Sequence, residues 1–258
     1  MRVYRIALAV AGVAICGACA EPRQPGQSRH TYVIVHGAWG GGWDWRGVDS
    51  LLTASANRVY RPTLTGLGER VHLAGPNIDL TTHIADIVNV IRYENLHDIV
   101  LVGHSYGGMV ISGVADRIPE RVRHLVYVDA IVPEDGESLL TAAGGTRMQS
   151  GMRSMLDSAK NGLLVPAWVP SGASPPTDVP HPVRTLTEPL RLTNPAGRRI
   201  PATYILTVDS GKVEADDDFA PFARRAKSRG WTYHVLQSDH VPERSAPREL
   251  AELLRGVP

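Results

Sequence analysis

From Thr31 onward the chain alternates between short, unbroken apolar runs and longer segments with helical periodicity. Tyr32–Val35, Arg58–Arg61, Ile99–Val102, Leu125–Val128, Thr203–Val208 and Trp231–Leu236 read as strands. Between and after them, Trp43–Ala54, Thr82–Glu94, Gly108–Arg117, Phe219–Ser228 and Pro247–Arg255 read as helices. The clearest is Thr82–Glu94, where Ile84, Ile87, Val88 and Ile91 fall on one face and Thr81 or Thr82 stands at the N-cap position. Strands without polar alternation, separated by helices, predict an α/β domain with a mostly parallel sheet covered on both faces. The predicted core spans residues 31–132 and 201–258.

Two segments break this rhythm. Residues 133–200 show no strand–helix alternation and are rich in proline, with Met148, Met152 and Met155 at helical spacing; they read as a small helical lid inserted into the core. Residues 1–20 carry Arg2 and Arg5, an apolar run from Ile6 to Ile15, and Ala18-Cys19-Ala20, the build of a secretory signal peptide. Residues 21–30 follow as a polar tether. Cleavage after Ala20 predicts a periplasmic or secreted product; cleavage before Cys19 would leave a lipid-anchored one. Both cysteines, Cys16 and Cys19, lie in this leader, whose apolar run is short for a permanent membrane span, so no integral span is expected after processing.

Composition narrows the partners. The 258 residues are 43% hydrophobic and 21% charged with a net charge of +1, and removal of the leader leaves 25 basic against 26 acidic residues. There is no basic stripe, so nucleic acid is not an expected partner. No phosphate-binding glycine loop, dinucleotide fingerprint or zinc spacing occurs, and neither metal nor cofactor is expected. Pairing of two chains into a homodimer stays open.

The chemistry concentrates in Gly103-His104-Ser105-Tyr106-Gly107, a G-x-S-x-G pattern placed between a buried strand and a helix. That context forms a tight elbow which lifts a serine hydroxyl above the sheet edge. Ser105 is therefore the candidate nucleophile, with His104 read as a spacer turned away. A serine needs a base, and His240, just beyond the last strand, is the candidate. His36, His72, His83, His97, His124 and His181 read as surface or capping residues. The orienting acid is expected at Asp209, which ends the strand Thr203–Val208 and preserves the order serine, acid, histidine. Asp129, which also ends a strand, is its rival. Backbone amides of Ala38 and Tyr106 are expected to form an oxyanion hole, and Trp39, Leu139 and Trp168 are candidate pocket residues.

The motifs His36-Gly37-Ala38-Trp39, Leu64-Thr65-Gly66-Leu67-Gly68-Glu69-Arg70, Gly103-His104-Ser105-Tyr106-Gly107-Gly108 and Val128-Asp129-Ala130 with Pro133-Glu134-Asp135-Gly136 resemble the α/β-hydrolase branch that holds plant methylesterases and hydroxynitrile lyases. Bacterial carboxylesterases, including pyrethroid-hydrolysing ones, look most similar. The resemblance implies a triad of Ser105, Asp209 and His240, a small lid, no cofactor, and hydrolysis of small apolar or aryl carboxylic esters through an acyl-enzyme. Val241 stands where hydroxynitrile lyases carry lysine, which weighs against that alternative; a non-catalytic ligand-binding member of the fold is the other.

Overall fold

The computed structural model describes residues 30–143 and 147–258. The expected leader, with both cysteines, and all of the tether except His30 lie outside the described residues. Among the described residues eight strands run in chain order: β1 Thr31–Val35, β2 Arg58–Tyr60, β3 Ile99–His104, β4 Val122–Val128, β5 Leu163–Leu164, β6 His181–Pro182, β7 Ala202–Val208 and β8 Thr232–Gln237. Six of them form one sheet in the order β2-β1-β3-β4-β7-β8, parallel throughout. β5 and β6 pair separately as an antiparallel ribbon.

The unbroken apolar runs have a direct cause. Successive strand side chains point to opposite faces, and here each face has its own core. Val33, Val35, Leu101, Tyr127 and Leu206 join one cluster, filled by Ile84, Ile87, Val110 and Phe222 from the helices Leu80–Tyr93, Gly107–Arg117 and Ala220–Ser228. Tyr32, Ile34, Val100, Val102 and Ile205 join the other, filled by Val48, Leu52, Leu250 and Leu254 from the helices Arg46–Ala54 and Pro247–Arg255. Each fully buried Leu or Ile contributes roughly 1.5–3 kcal/mol through its removal from water.

The helix Leu80–Tyr93 begins earlier than its periodicity predicts. Its cap is Asp79, whose carboxylate accepts from the Thr82 amide at 2.9 Å, a stronger acceptor for that orphan donor than a threonine hydroxyl.

The stretch between β4 and β7 holds the helix Arg147–Asp157, the β5–β6 ribbon and three helical turns, Leu139–Ala142, Arg184–Thr187 and Pro195–Arg198. It docks on the loop after β1 through Trp39. The Trp39 amide donates to His181 Nδ1 at 3.2 Å, its indole N–H to the Leu164 carbonyl at 3.2 Å, and its carbonyl accepts from Val179 at 3.0 Å.

Candidate active site

β3 enters the helix Gly107–Arg117 through Ser105, whose φ of 51° lies in the left-handed region. A non-glycine residue there costs of order 1–3 kcal/mol, and the surroundings must hold it. They do so from both sides: the Ser105 amide donates to Val128, and its carbonyl accepts from Ile131 at 3.1 Å. The helix must start pressed against the sheet. A β-carbon on Gly107 would sit 2.6 Å from the Val35 carbonyl oxygen, and one on Gly108 2.1 Å from that of Ile131.

Ser105 Oγ lies 3.0 Å from His240 Nε2, and His240 Nδ1 lies 2.6 Å from Asp129 Oδ2. Asp129 is buried just past the end of β4, and its other carboxylate oxygen accepts from the Thr207 amide at 3.2 Å. A carboxylate only accepts, so Nδ1 carries the hydrogen and Nε2 is left to receive the serine proton. Phe219 stacks on the imidazole at 4.6 Å. Loss of water around the ring, whose side chain is still 44% exposed, opposes charge on His240, but the hydrogen bond it donates to Asp129 and the negative charge of that carboxylate outweigh this and raise the pKa above its ordinary value.

The structure therefore corrects the expected acid. Asp209 does end β7, but its carboxylate faces solvent and pairs with Lys212. β4 is the direct neighbour of β3, whereas β7 lies one strand further out. Asp129, with a φ of 43°, turns its carboxylate under the imidazole from that nearer strand.

Ser105, His240, Asp129, Ala38, Trp39, Tyr106 and Leu139 line one cavity of about 370 Å³, together with Ile131, Met152 and Phe219. Asp209, Lys212 and the run Asp216–Asp218 also line it. Trp168 does not. Its ring packs edge-on against Trp39 at 5.0 Å, half exposed, with its N–H held by Asp178 at 2.8 Å. A slightly larger cavity, about 410 Å³, lies among Ser112, Tyr127, Arg229 and Trp231. Its serine hydroxyl donates to the Gly108 carbonyl at 2.7 Å, so no activated nucleophile stands there.

The histidines depart most from expectation. His36, His83, His124 and His181 are buried, not surface or capping residues, and His104 is not turned away from the site. Its Nε2 meets the main-chain carbonyl of His240 at 2.7 Å. Burial holds His36, His83 and His124 down to about 4, and His104 and His181 well below the ordinary histidine value. Each ring has a polar partner inside the fold: His36 receives the Leu64 amide, and His83 bridges the Thr65 carbonyl and the Tyr106 hydroxyl. A single apolar-flanked histidine in a sequence carries no mark of such a partner.

A parallel sheet with a serine elbow at its edge and a histidine beyond its last strand defines the α/β-hydrolase class of fold. The chain belongs to the alpha/beta hydrolase family, whose pattern matches residues 32–253. The carbendazim hydrolyzing esterase of Nocardioides sp. (strain SG-4G) is 56% identical over 109 residues, 42% of this chain and 45% of that protein. Methylesterase 2 of Arabidopsis thaliana is 33% identical over 118 residues, 42% of this chain and 41% of that protein. Both matches thus span less than half the length of those relatives. The pheophorbidase of Raphanus sativus is 27% identical over 251 residues, covering 88% and 93% of the two chains. Among solved structures, an extracellular α/β-hydrolase from a Paenibacillus species superposes with a TM-score of 0.73 at 24% identity, covering 87% of this chain and 97% of that one. A pyrethroid hydrolase from Sphingobium faniae JZ-2 gives 0.65 at 22% identity, covering 88% and 96%. No helix among the described residues is long and apolar enough to cross a membrane.

Proposed function

We propose that this protein is a serine hydrolase of small, apolar or aryl carboxylic esters, exported through the leader at residues 1–20. The observation that carries the reading is the relay from Ser105 Oγ through His240 to Asp129, with contacts of 3.0 and 2.6 Å. Names of the relatives, an esterase and methylesterases among them, support the same chemistry.

In this reading His240 Nε2 takes the Ser105 proton as Oγ bonds to the ester carbonyl carbon. The carbonyl electron pair moves to oxygen, where the amides of Ala38 and Tyr106 stabilise it, each such donor being worth about 3 kcal/mol. The oxyanion collapses, the C–O bond to the alcohol breaks, and the imidazolium returns its proton to the leaving oxygen. Water, deprotonated by His240, then attacks the acyl-serine and releases the acid. Asp129 stays ionised throughout and holds Nδ1–H. Residues 133–200 act as the lid: Leu139 and Met152 come from this stretch and, with Ile131 and Phe219, make the acyl or aryl wall. The carboxylates of Asp216–Asp218 at the same cavity disfavour anionic esters. Hydroxynitrile cleavage is the second reading: an alpha-hydroxynitrile lyase of Arabidopsis thaliana is among the relatives, 30% identical over 112 residues, but Val241 follows His240 and Lys212 at the cavity is paired with Asp209.

The test is turnover of p-nitrophenyl butyrate by the wild-type protein and Ser105→Ala. Hydrolysis by the first and a loss of about 10⁴-fold or more in kcat by the second are expected, with unchanged circular dichroism. A fluorophosphonate probe should label only the first. A wild-type protein that neither turns over nor labels would turn the reading to a ligand-binding member of the fold.

A further inference from the structure

Beneath the relay lies a second set of buried ionisable groups that the chemistry above does not use. His104, next to the nucleophile, has a side chain only 4% exposed and touches the His240 carbonyl with Nε2 at 2.7 Å. A carbonyl oxygen can only accept, so Nε2 carries the hydrogen. In the neutral ring Nδ1 is then a bare lone pair; it makes no hydrogen bond among the described residues and faces Glu243 Oε1 at 3.4 Å. The Glu243 side chain is 2% exposed, and its Oε2 has no partner among the described residues. Trp45 closes the far side of His104, ring edge to ring face at 6.2 Å.

Two proton inventories compete: an imidazolium facing a carboxylate, or a neutral imidazole facing a carboxylic acid. The ionic form would bury two charges and leave one carboxylate oxygen without a donor, a desolvation cost of several kcal/mol per ion. The neighbouring charges do not rescue it. Asp44 on the turn after β1 repels an anion at Glu243, while His240 and Arg244 favour one; His240, His36 and Arg244 all oppose a cation at His104. Burial is the largest effect on both groups. It pushes Glu243 up to about 8 and holds His104 well down, so at neutral pH the pair is uncharged.

We propose that Glu243 and His104 are positioning residues for His240: the protonated Glu243 carboxyl donates toward His104 Nδ1, fixing the tautomer whose Nε2–H anchors the His240 main-chain carbonyl. The imidazole of His240 is thereby seated against Ser105 from its backbone side, while Asp129 holds it from the ring side. This rests on the ester-hydrolase reading of Ser105 and His240. When Glu243 loses its proton, a carboxylate faces the Nδ1 lone pair. The repulsion favours the opposite tautomer of His104, whose hydrogen points to Glu243 and whose bare Nε2 can no longer hold a carbonyl. The anchor is therefore lost on the alkaline side.

The experiment combines kinetics with p-nitrophenyl butyrate and histidine ¹⁵N NMR on the full chain. Wild type should show His104 neutral with hydrogen on Nε2 at pH 6.5, and kcat falling as pH rises through the Glu243 ionisation. Glu243→Gln keeps a donor toward Nδ1, so it should retain kcat to within about threefold, keep the tautomer at pH 9.5, and lose that alkaline limb. Glu243→Leu removes the donor and should lower kcat about tenfold with little change in KM, the effect of one lost buried hydrogen bond. A His104 that is charged or hydrogenated on Nδ1 at pH 6.5 overturns the proposal, as does an alkaline limb unchanged in Glu243→Gln or a full kcat in Glu243→Leu. If wild type shows no turnover and no fluorophosphonate labelling, the ester-hydrolase reading fails, while the NMR tautomer still decides the anchor.

Discussion

A histidine serves as a base toward one partner only if its other nitrogen is held in the right protonation state, so the acid behind it matters as much as the nucleophile in front. Asp129 supplies that hold at 2.6 Å, fixed in turn by the Thr207 amide. An asparagine there presents an amide of similar shape that no longer carries charge and can donate where the carboxylate only accepted. Asp129→Asn should therefore cost about 10³–10⁴ in kcat. Asp209→Asn, which loses only an exposed pair with Lys212, should cost less than about tenfold. Steady-state kinetics of the two variants separates the assignments, and a larger loss at Asp209 would reverse them. The same measurement has a sign in pH. The base works only when neutral, and its pKa is raised by Asp129 against the opposing burial, so kcat/KM should fall with acid through a value above 6.5.

At the scale of elements, the strand–elbow–helix unit works because β3 and the following helix lie closer together than side chains would allow. Gly108→Ala would place a carbon 2.1 Å from the carbonyl oxygen of Ile131, the residue whose amide holds the Ser105 carbonyl of the elbow. It should lower unfolding free energy by about 3 kcal/mol. Gly151→Ala, in the helix Arg147–Asp157 with open space around it, should raise it by roughly 0.5–1 kcal/mol. Denaturant titration of both variants checks the pair, and equal effects would contradict the close approach. Much of this architecture is legible in the sequence, because apolar runs such as Ile99–Val102 report burial on two faces and the elbow motif reports a local turn. All six strands of the main sheet, the elbow at Ser105 and the position of His240 beyond the last strand follow from such local signals. The neighbour relation of strands is not local: nothing in the linear order of Asp129 and Asp209 says that β4 lies beside β3 and β7 does not. Trp168 was equally opaque, since a tryptophan among prolines looks the same whether it lines a cavity or braces Trp39 from outside.

Across the whole molecule, the buried ionisable groups set two opposing pH slopes. His36, His83, His104, His124 and His181 all have folded pKa values depressed by burial. The unfolded chain takes up their protons first as pH falls below about 6.5, so stability drops on the acid side. For a ring held down to about 4, as His36 and His83 are, the loss over that window is on the order of 3 kcal/mol. Glu243 acts in reverse. Its folded pKa is pushed up to about 8, so its contribution is complete below the ordinary carboxylate range and is lost as pH rises toward that value. His240, also raised, adds to the same alkaline loss. Several histidines outweigh one histidine and the raised carboxyls of Glu243, Asp44 and Asp217 until their unfolded-state protonation has nearly ended, which puts the stability maximum at about pH 7. Urea unfolding at pH 5, 7 and 9 should give the highest midpoint at pH 7 and a steeper loss toward pH 5. Glu243→Gln should flatten the alkaline side and steepen the loss from pH 7 to pH 5, because the Glu243 contribution declines across the whole window from the ordinary carboxylate value up to about 8. Equal midpoints at pH 5 and 7 would mean that these rings accept protons inside the fold, which their burial and hydrogen bonding forbid.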